Sequence, residues 1–323
     1  MIDTLKYRLP GKEIVEQLGT FRSVDSQSIR NGFVLTDFSL KNYFVFEASS
    51  EMNDNKAGLH FLKNQPFVIE KEEYLTEATS FIAAFQHLKL KKGVYSRVKK
   101  VAFDEQKAAI LFFELAANYP NSFVYLVSSD LFGTWVGATP EVLLSIENEE
   151  AKTISLAGTK KSNDESDWNA KEKEEQGIVT QYIEQTLSQS INSKIEVNGP
   201  YEYIAGPVKH LRTDFSFNLA NASALNLVQQ LHPTPAVSGL PKEGAIELIH
   251  KTEKHERSIY TGVIGLLGVE TTNLFVNLRC CQLTEGSAFL YLGGGFTKDS
   301  IPASEWEETE NKSQTLLNIF QKL

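Results

Sequence analysis

The chain has 323 residues, with 32 Lys and Arg against 41 Asp and Glu, which gives a formal net charge of −9. Hydrophobic residues at 41% and charged residues at 23% exclude a disordered or fibrous chain and allow a large core, in one α+β unit or in two domains. The acidic balance argues against nucleic acid as a partner, because phosphate binding needs a clustered positive field, and no apolar run reaches the roughly 18 to 20 residues of a membrane span.

The opening MIDTLKYRLPGKEIVEQLG carries charges where a secretion signal carries its apolar centre. The two cysteines, Cys280 and Cys281, are adjacent and cannot staple distant segments, so a reduced cytoplasm is the expected compartment. Residues 1–85 carry little pattern. Beyond them, Phe81–Leu90 and Glu105–Ala117 repeat apolar residues at helical spacing. GVYSRVKKVAF, NSFVYLVSS and TWVGATPEVLLSIE are rich in Val, Tyr, Phe and Trp and predict strands, as does KTISLAG. A long helix is expected from Asp167 through GIVTQYIEQTLSQSI, with Ile178, Tyr182 and Leu187 on one stripe, and further helices over Asn218–Leu231 and Glu243–Lys254. The Pro and Gly residues of HPTPAVSGLPK keep those two apart. SIYTGVIGLLGV, NLFVNLRCCQL and SAFLYLGGGFT, joined by short turns, predict three neighbouring antiparallel strands before a last helix over Ala303–Lys322.

The chain lacks a phosphate-binding P-loop, a Gly-x-Gly-x-x-Gly dinucleotide motif, a Gly-x-Ser-x-Gly elbow and a zinc signature, which removes nucleotide-fuelled, acyl-transfer and zinc chemistry from the first rank. Two acidic pairs at i, i+3 stand out, Glu172 with Glu175 and Glu305 with Glu308. Each is either a solvated helix face or part of a Mg²⁺ site to which each helix brings a carboxylate. Lys312 follows Glu308 by four residues. Gly293, Gly294 and Gly295 at a strand end, and Gly158 before Thr159, are turns or places where a ligand approaches the backbone. Arg279, flanked by apolar residues, is either a structural ion pair or a carboxylate fork.

These residues sit in a longer ordered set. GATPEVLL (137–144), SLAGTKK (155–161), KHLRT (209–213), HPTPAVSGLPK (232–242), HERSIYTGVIG (255–265), FVNLRC (275–280), GGGFT (293–297) and EWEETENK (305–312) resemble the chorismate-utilising enzymes, over roughly residues 88 to 320. The loop HPTPAVSGLPK, with Ala236 where amine-transferring members usually carry Thr, is similar to the isochorismate synthases. The resemblance implies an α+β fold, antiparallel sheets in two merged lobes with helices packed outside, in which 86–323 is the chorismate-binding catalytic region and 1–85 the N-terminal part. It implies an isomerase acting on chorismate with Mg²⁺, as a monomer or weak dimer, feeding menaquinone or siderophore synthesis. Salicylate synthase, anthranilate or aminodeoxychorismate synthase, and a non-catalytic binding subunit on the same fold are the alternatives.

The implied chemistry adds water at carbon 2 and expels the carbon-4 hydroxyl, which needs a base and an acid. KGVYSR resembles the family segment that bears the base, which falls on Lys92, and GATPEVLL the segment that bears the acid, which falls on Glu141. The apolar neighbours Val142, Leu143 and Leu144 make a raised carboxyl pKa reasonable at Glu141. The metal ligands implied are Glu175 and Glu308, with Glu172 and Glu305 behind them or acting through water. Gly158, Thr159, His210, Ala236, Arg279, Gly294, Gly295 and Lys312 match positions that line the substrate site. In one departure, Gln176 follows Glu175 where the family often has His.

Overall fold

The N-terminal segment, patternless in sequence, folds into four strands: β1 (Asp3–Arg8), β2 (Ile14–Val24), β3 (Gly32–Thr36) and β4 (Tyr43–Ala48). The computed structural model describes residues 2–49, 58–220 and 222–323. Helix α1 runs over Lys71–Leu88 and so starts well before the expected Phe81. Glu72 and Glu73 suit the positive end of its dipole, and Tyr74, Ala78, Phe81 and Phe85 form its buried stripe. Then come β5 (Lys92–Ala102), α2 (Ala108–Asn118), β6 (Phe123–Ser129), β7 (Gly133–Thr139), β8 (Val142–Glu147), β9 (Glu150–Lys161) and α3 (Ala170–Ser190). The chain continues through β10 (Glu196–Ala205), β11 (Val208–Asn218), α4 (Ala224–Leu231), β12 (Gly239–Leu240) and α5 (Lys242–Thr252). It closes with β13 (Val263–Leu267), β14 (Thr271–Val276), β15 (Cys280–Thr284), β16 (Ser287–Phe296) and α6 (Pro302–Phe320).

The helix expected from Asn218 begins only at Ala224, behind the Ser223 cap, because Val208–Asn218 alternates buried and half-buried residues and pairs as a strand. The strand expected over 273–283 is broken. Asn277, Leu278 and Arg279 separate β14 from β15, and Arg279 takes a left-handed φ of 51°. The last four strands are therefore two hairpins rather than one meander: β14 pairs with β13 and β8, whereas β15 pairs with β16 and β7.

Every pairing is antiparallel, and hydrogen bonds link the strands in the order β10-β11-β9-β8-β14-β13-β3-β4-β2-β1-β6-β7-β15-β16-β5-β12. The two halves of this order form two merged lobes. Their inner faces share a core that includes Tyr7, Phe33, Phe123, Trp135, Phe275 and Phe289, with the Phe123 and Phe275 rings stacked at 4.6 Å. Helices cover the outside. Helices α3 and α4 pack on β8, β9 and β11, and α2 and α6 on β6, β7 and β16. Among the described residues no helix is long and apolar enough to cross a membrane.

Helix α3 aims the site. A capping box closes its start, where Asn169 Oδ1 accepts from the Glu172 N–H and Glu172 Oε2 accepts from the Asn169 N–H. Its buried stripe is Glu175, Val179, Ile183 and Leu187, four residues apart, so the anchored apolar turns project Glu175 inward. Tyr182, expected on that stripe, is only partly buried and donates to the Gln230 and Leu231 carbonyls. Ile183→Ala should destabilise the fold by about 2 to 5 kcal/mol through the cavity it leaves, read from urea unfolding monitored by circular dichroism.

Candidate active site

Both lobes contribute to one cavity. Of the residues expected at a site, Lys92, Glu141, Gly158, Thr159, Glu175, His210, Ala236, Arg279, Gly294, Gly295 and Lys312 line it. Glu305 and Glu308 are not in the lining but lie on α6 beside it, Glu308 paired with the lining residue Lys312 and Glu305 where a Cβ on Gly294 would come within 3.7 Å of it. Glu172 is not in the lining, since its carboxylate closes the α3 cap.

Lys92 opens β5 and is fully buried. The two-residue strand β12, supplied by the 232–242 loop, pairs with Lys92 and Gly93 and places Ala236 and Val237 on the cavity wall. Lys92 Nζ lies 2.9 Å from Glu175 Oε1, close enough for an ion pair but off hydrogen-bonding directions, and it has no other partner. Gly295 is required here, because a Cβ at that position would collide with Glu175 Oε1.

Glu141 lines the same cavity. Pro140 and Glu141 interrupt the strand expected over 134–147, and the Val276 N–H holds the Glu141 carbonyl at 2.9 Å. Burial pushes the Glu141 carboxyl up to about 7, against the cations Lys92, Lys312 and Arg279.

His210, on β11, fixes the third wall. Its Nδ1 donates to the Gly158 carbonyl at 2.8 Å, and its Nε2 accepts from Arg279 Nη2 at 3.0 Å. These two bonds require the neutral tautomer with the proton on Nδ1. Burial, with Arg279 and Lys312 adding to it, pushes the imidazole down to about 3. Gly158 takes a φ of +70°, which aims its carbonyl at the ring. Arg279 reaches the cavity because its left-handed backbone breaks the strand, and burial lowers its pKa.

On the α6 side, Lys312 Nζ donates to the Gly293 carbonyl at 2.9 Å and pairs with Glu308 Oε1 at 2.6 Å. Burial opposes ionisation of Glu308, but Lys312 and Lys171 outweigh it and hold the carboxyl below its usual range. Glu305 is fully buried. Burial, reinforced by Glu308, pushes its carboxyl up to about 7 despite an ion pair of 2.5 Å with Lys171 and the nearby Ser300 hydroxyl, and its Oε2 makes no full hydrogen bond among the described residues.

Gln176, the departure from the family pattern, lies in a neutral network. Its Nε2 donates to Ser155 Oγ at 3.0 Å and Thr213 Oγ1 at 3.1 Å, and its Oε1 accepts from Thr180 Oγ1 at 2.6 Å. The network ties α3 to β9 and β11, the strands that carry Gly158 and His210. Two aromatic walls, Tyr260 and Tyr291, were not singled out from the sequence although HERSIYTG contains the first. Lys171 belongs with them, and its spacing of four residues from Glu175 is the signal the sequence carries for it.

A family model described as chorismate binding enzyme matches residues 37–321. The chain belongs to the chorismate-binding enzyme family. Among its relatives, the isochorismate synthase EntC of Escherichia coli is 29% identical over 297 residues, which are 85% of this chain and 75% of that protein. The isochorismate synthase MenF of Bacillus subtilis is 27% identical over 301 residues, 89% of this chain and 60% of that protein. A Bacillus anthracis structure assigned as the 2,3-dihydroxybenzoate-specific isochorismate synthase DhbC superposes with a TM-score of 0.80 at 25% identity, covering 99% of this chain and 96% of that one. Anthranilate synthase component I of Streptococcus pneumoniae shares the fold, with a TM-score of 0.72 at 16% identity over 98% of this chain and 90% of that one. The antiparallel sheets and outer helices expected from the sequence are those of this family's structures.

The buried histidine carries a pH signature. With a pKa near 3 in the folded chain against roughly 6.5 unfolded, His210 lets only the unfolded state take up a proton as pH falls below that value. Acidification therefore destabilises the fold. His210→Gln should flatten this slope between pH 6 and 4 by up to about 1.4 kcal/mol per pH unit, measured by urea unfolding at each pH.

Proposed function

We propose that this protein is an isochorismate synthase that interconverts chorismate and isochorismate with Mg²⁺ and without a nucleotide, in the cytoplasm. What supports this most is the meeting of a buried lysine and a buried carboxyl that titrates near 7, Lys92 and Glu141, in one cavity. The names of the relatives point the same way, as does Ala236 at a position where Thr would place another hydroxyl beside the ring.

The proposed reaction balances as water in and water out. Lys92 takes the proton of a water that attacks carbon 2. The ring double bonds shift, and Glu141, still protonated near neutrality, donates to the oxygen leaving carbon 4. Arg279, Lys312 and Thr159 supply the donors for the substrate carboxylates, and His210 orients the Arg279 fork. Tyr260 and Tyr291 wall the ring off from bulk water.

The α3 and α6 carboxylates fit a divalent cation. Among the described residues no three His, Cys, Asp or Glu side chains form a ready-made cage, but Mg²⁺ keeps several waters and takes few protein carboxylates. Glu175 and Glu308 would hold it, with Glu305 close by and its buried Oε2 without a full hydrogen bond among the described residues. When bound, the ion would neutralise a substrate carboxylate and fix the ring between base and acid. Glu172 stays with the helix cap.

Purified protein given chorismate and Mg²⁺ should yield isochorismate by chromatography. Salicylate with pyruvate, or an amino product when ammonium is added, would replace this reading with a sister activity. Lys92→Gln should lower kcat by at least ~100-fold with an unchanged circular dichroism spectrum, and wild-type kcat should decline as pH rises through about 7, where Glu141 loses its proton. Glu308→Gln should raise the Mg²⁺ concentration needed for half-maximal rate, and an unshifted titration curve would remove Glu308 from the ligand set.

A further inference from the structure

The three acidic side chains of the α3 and α6 faces are matched one to one by ammonium groups: Glu175 by Lys92 at 2.9 Å, Glu308 by Lys312 at 2.6 Å, and Glu305 by Lys171 at 2.5 Å. The three lysines are held very differently. Lys92 is fully buried, and Lys312 is anchored by the Gly293 carbonyl. Lys171 has a side chain 28% exposed, and its hydrogen bond among the described residues is the one to Glu305 Oε1. Its partly exposed side chain has a route to solvent that the fully buried Lys92 lacks.

Its place in the helix matters as well. Lys171 and Glu175 are four residues apart on α3 and so share a face, while Glu305 and Glu308 share a face of α6. Lys171 thus crosses from the α3 face to a carboxylate of the α6 face. Its ammonium therefore stands between the carboxylate face of α3 and that of α6.

We propose that Lys171 is a tethered counter-ion that fills the divalent-cation position in the metal-free protein and has to leave before the ion enters. The inference rests on the magnesium reading above and adds to it the residue that competes with the metal. With Lys171 in place each of the three carboxyl groups already has a lysine partner, so an incoming divalent ion has to displace one of them. Once Lys171 swings out, Glu305 loses its partner and its carboxyl group is open to the ion. The metal-free protein in turn avoids leaving Glu305 and Glu308 as adjacent unpaired anions.

The test is isothermal titration of Mg²⁺ into substrate-free protein, comparing wild type with Lys171→Gln and Lys171→Arg. Lys171→Gln should bind Mg²⁺ roughly tenfold tighter, because the competitor is gone. Lys171→Arg, which keeps the charge, should bind no tighter than wild type. Without metal, Lys171→Gln should melt below wild type, and saturating Mg²⁺ should close the gap. Wild type that binds Mg²⁺ as tightly as Lys171→Gln, or tighter, overturns the competing role and leaves the metal site standing. Failure of all three proteins to bind Mg²⁺ at millimolar concentration overturns the metal site and this inference together.

Discussion

A lysine ammonium removed from water has to be neutralised nearby, and the Lys92–Glu175 ion pair is the contact from which the rest of the site follows. Glu175 reaches Lys92 because Gly295 has no side chain in its path and because the apolar stripe of α3 fixes the rotation of the helix. The stripe in turn needs the start of α3 closed, which Asn169 and Glu172 do reciprocally. The neutral Gln176 network adds a second restraint, tying the same turn of α3 to both neighbouring strands without a group that titrates near neutrality. A carboxylate that looks like one more member of the charged run KEKEEQ is thereby among the most constrained groups in the protein.

The same logic explains the rest of the cavity. Glu141 lies close to three cations that favour its ionisation, yet desolvation dominates and keeps the carboxyl near the midpoint of its titration at neutral pH. His210 is held neutral by burial, and its two ring nitrogens are both committed, one to a backbone carbonyl and one to Arg279. Arg279 lines the cavity with its Nη2 donating to His210 and its Nη1 facing the Lys312 carbonyl. The pocket so arranged brings the cations Arg279 and Lys312 together with the half-titrated carboxyl of Glu141.

Sequence made the site more legible than the frame around it. Motifs such as HPTPAVSGLPK and GGGFT carry Gly, Pro and polar residues that a bare strand or helix does not need, so they stood out and led to the cavity. Strand β10 is exposed along most of its length, and β1 to β4 lie within a segment of mixed character, so neither shows the alternation that announces a half-buried strand. The strand break at Arg279 was hidden because apolar residues run up to it from both sides, while its left-handed backbone depends on tertiary contacts: the Asn277 amide is bonded to the Gly262 carbonyl and the Ala138 amide to its own carbonyl. Lys171 was obscured for a similar reason. In a run of alternating charges no composition rule distinguishes the member that crosses to another helix from those that face water.

Strands β1 to β4 are spliced into the middle of the hydrogen-bonding order, where β3 pairs with β13 and β1 with β6. A shortened chain beginning at residue 86 would retain every cavity-lining group, yet it would sever the sheet and leave β13 and β6 as two raw edges, each with a row of unmet amides and carbonyls. Those edges would invite pairing with other molecules, so the portion richest in family motifs is a poor candidate for expression by itself. The unremarkable opening residues are what keeps those two edges joined.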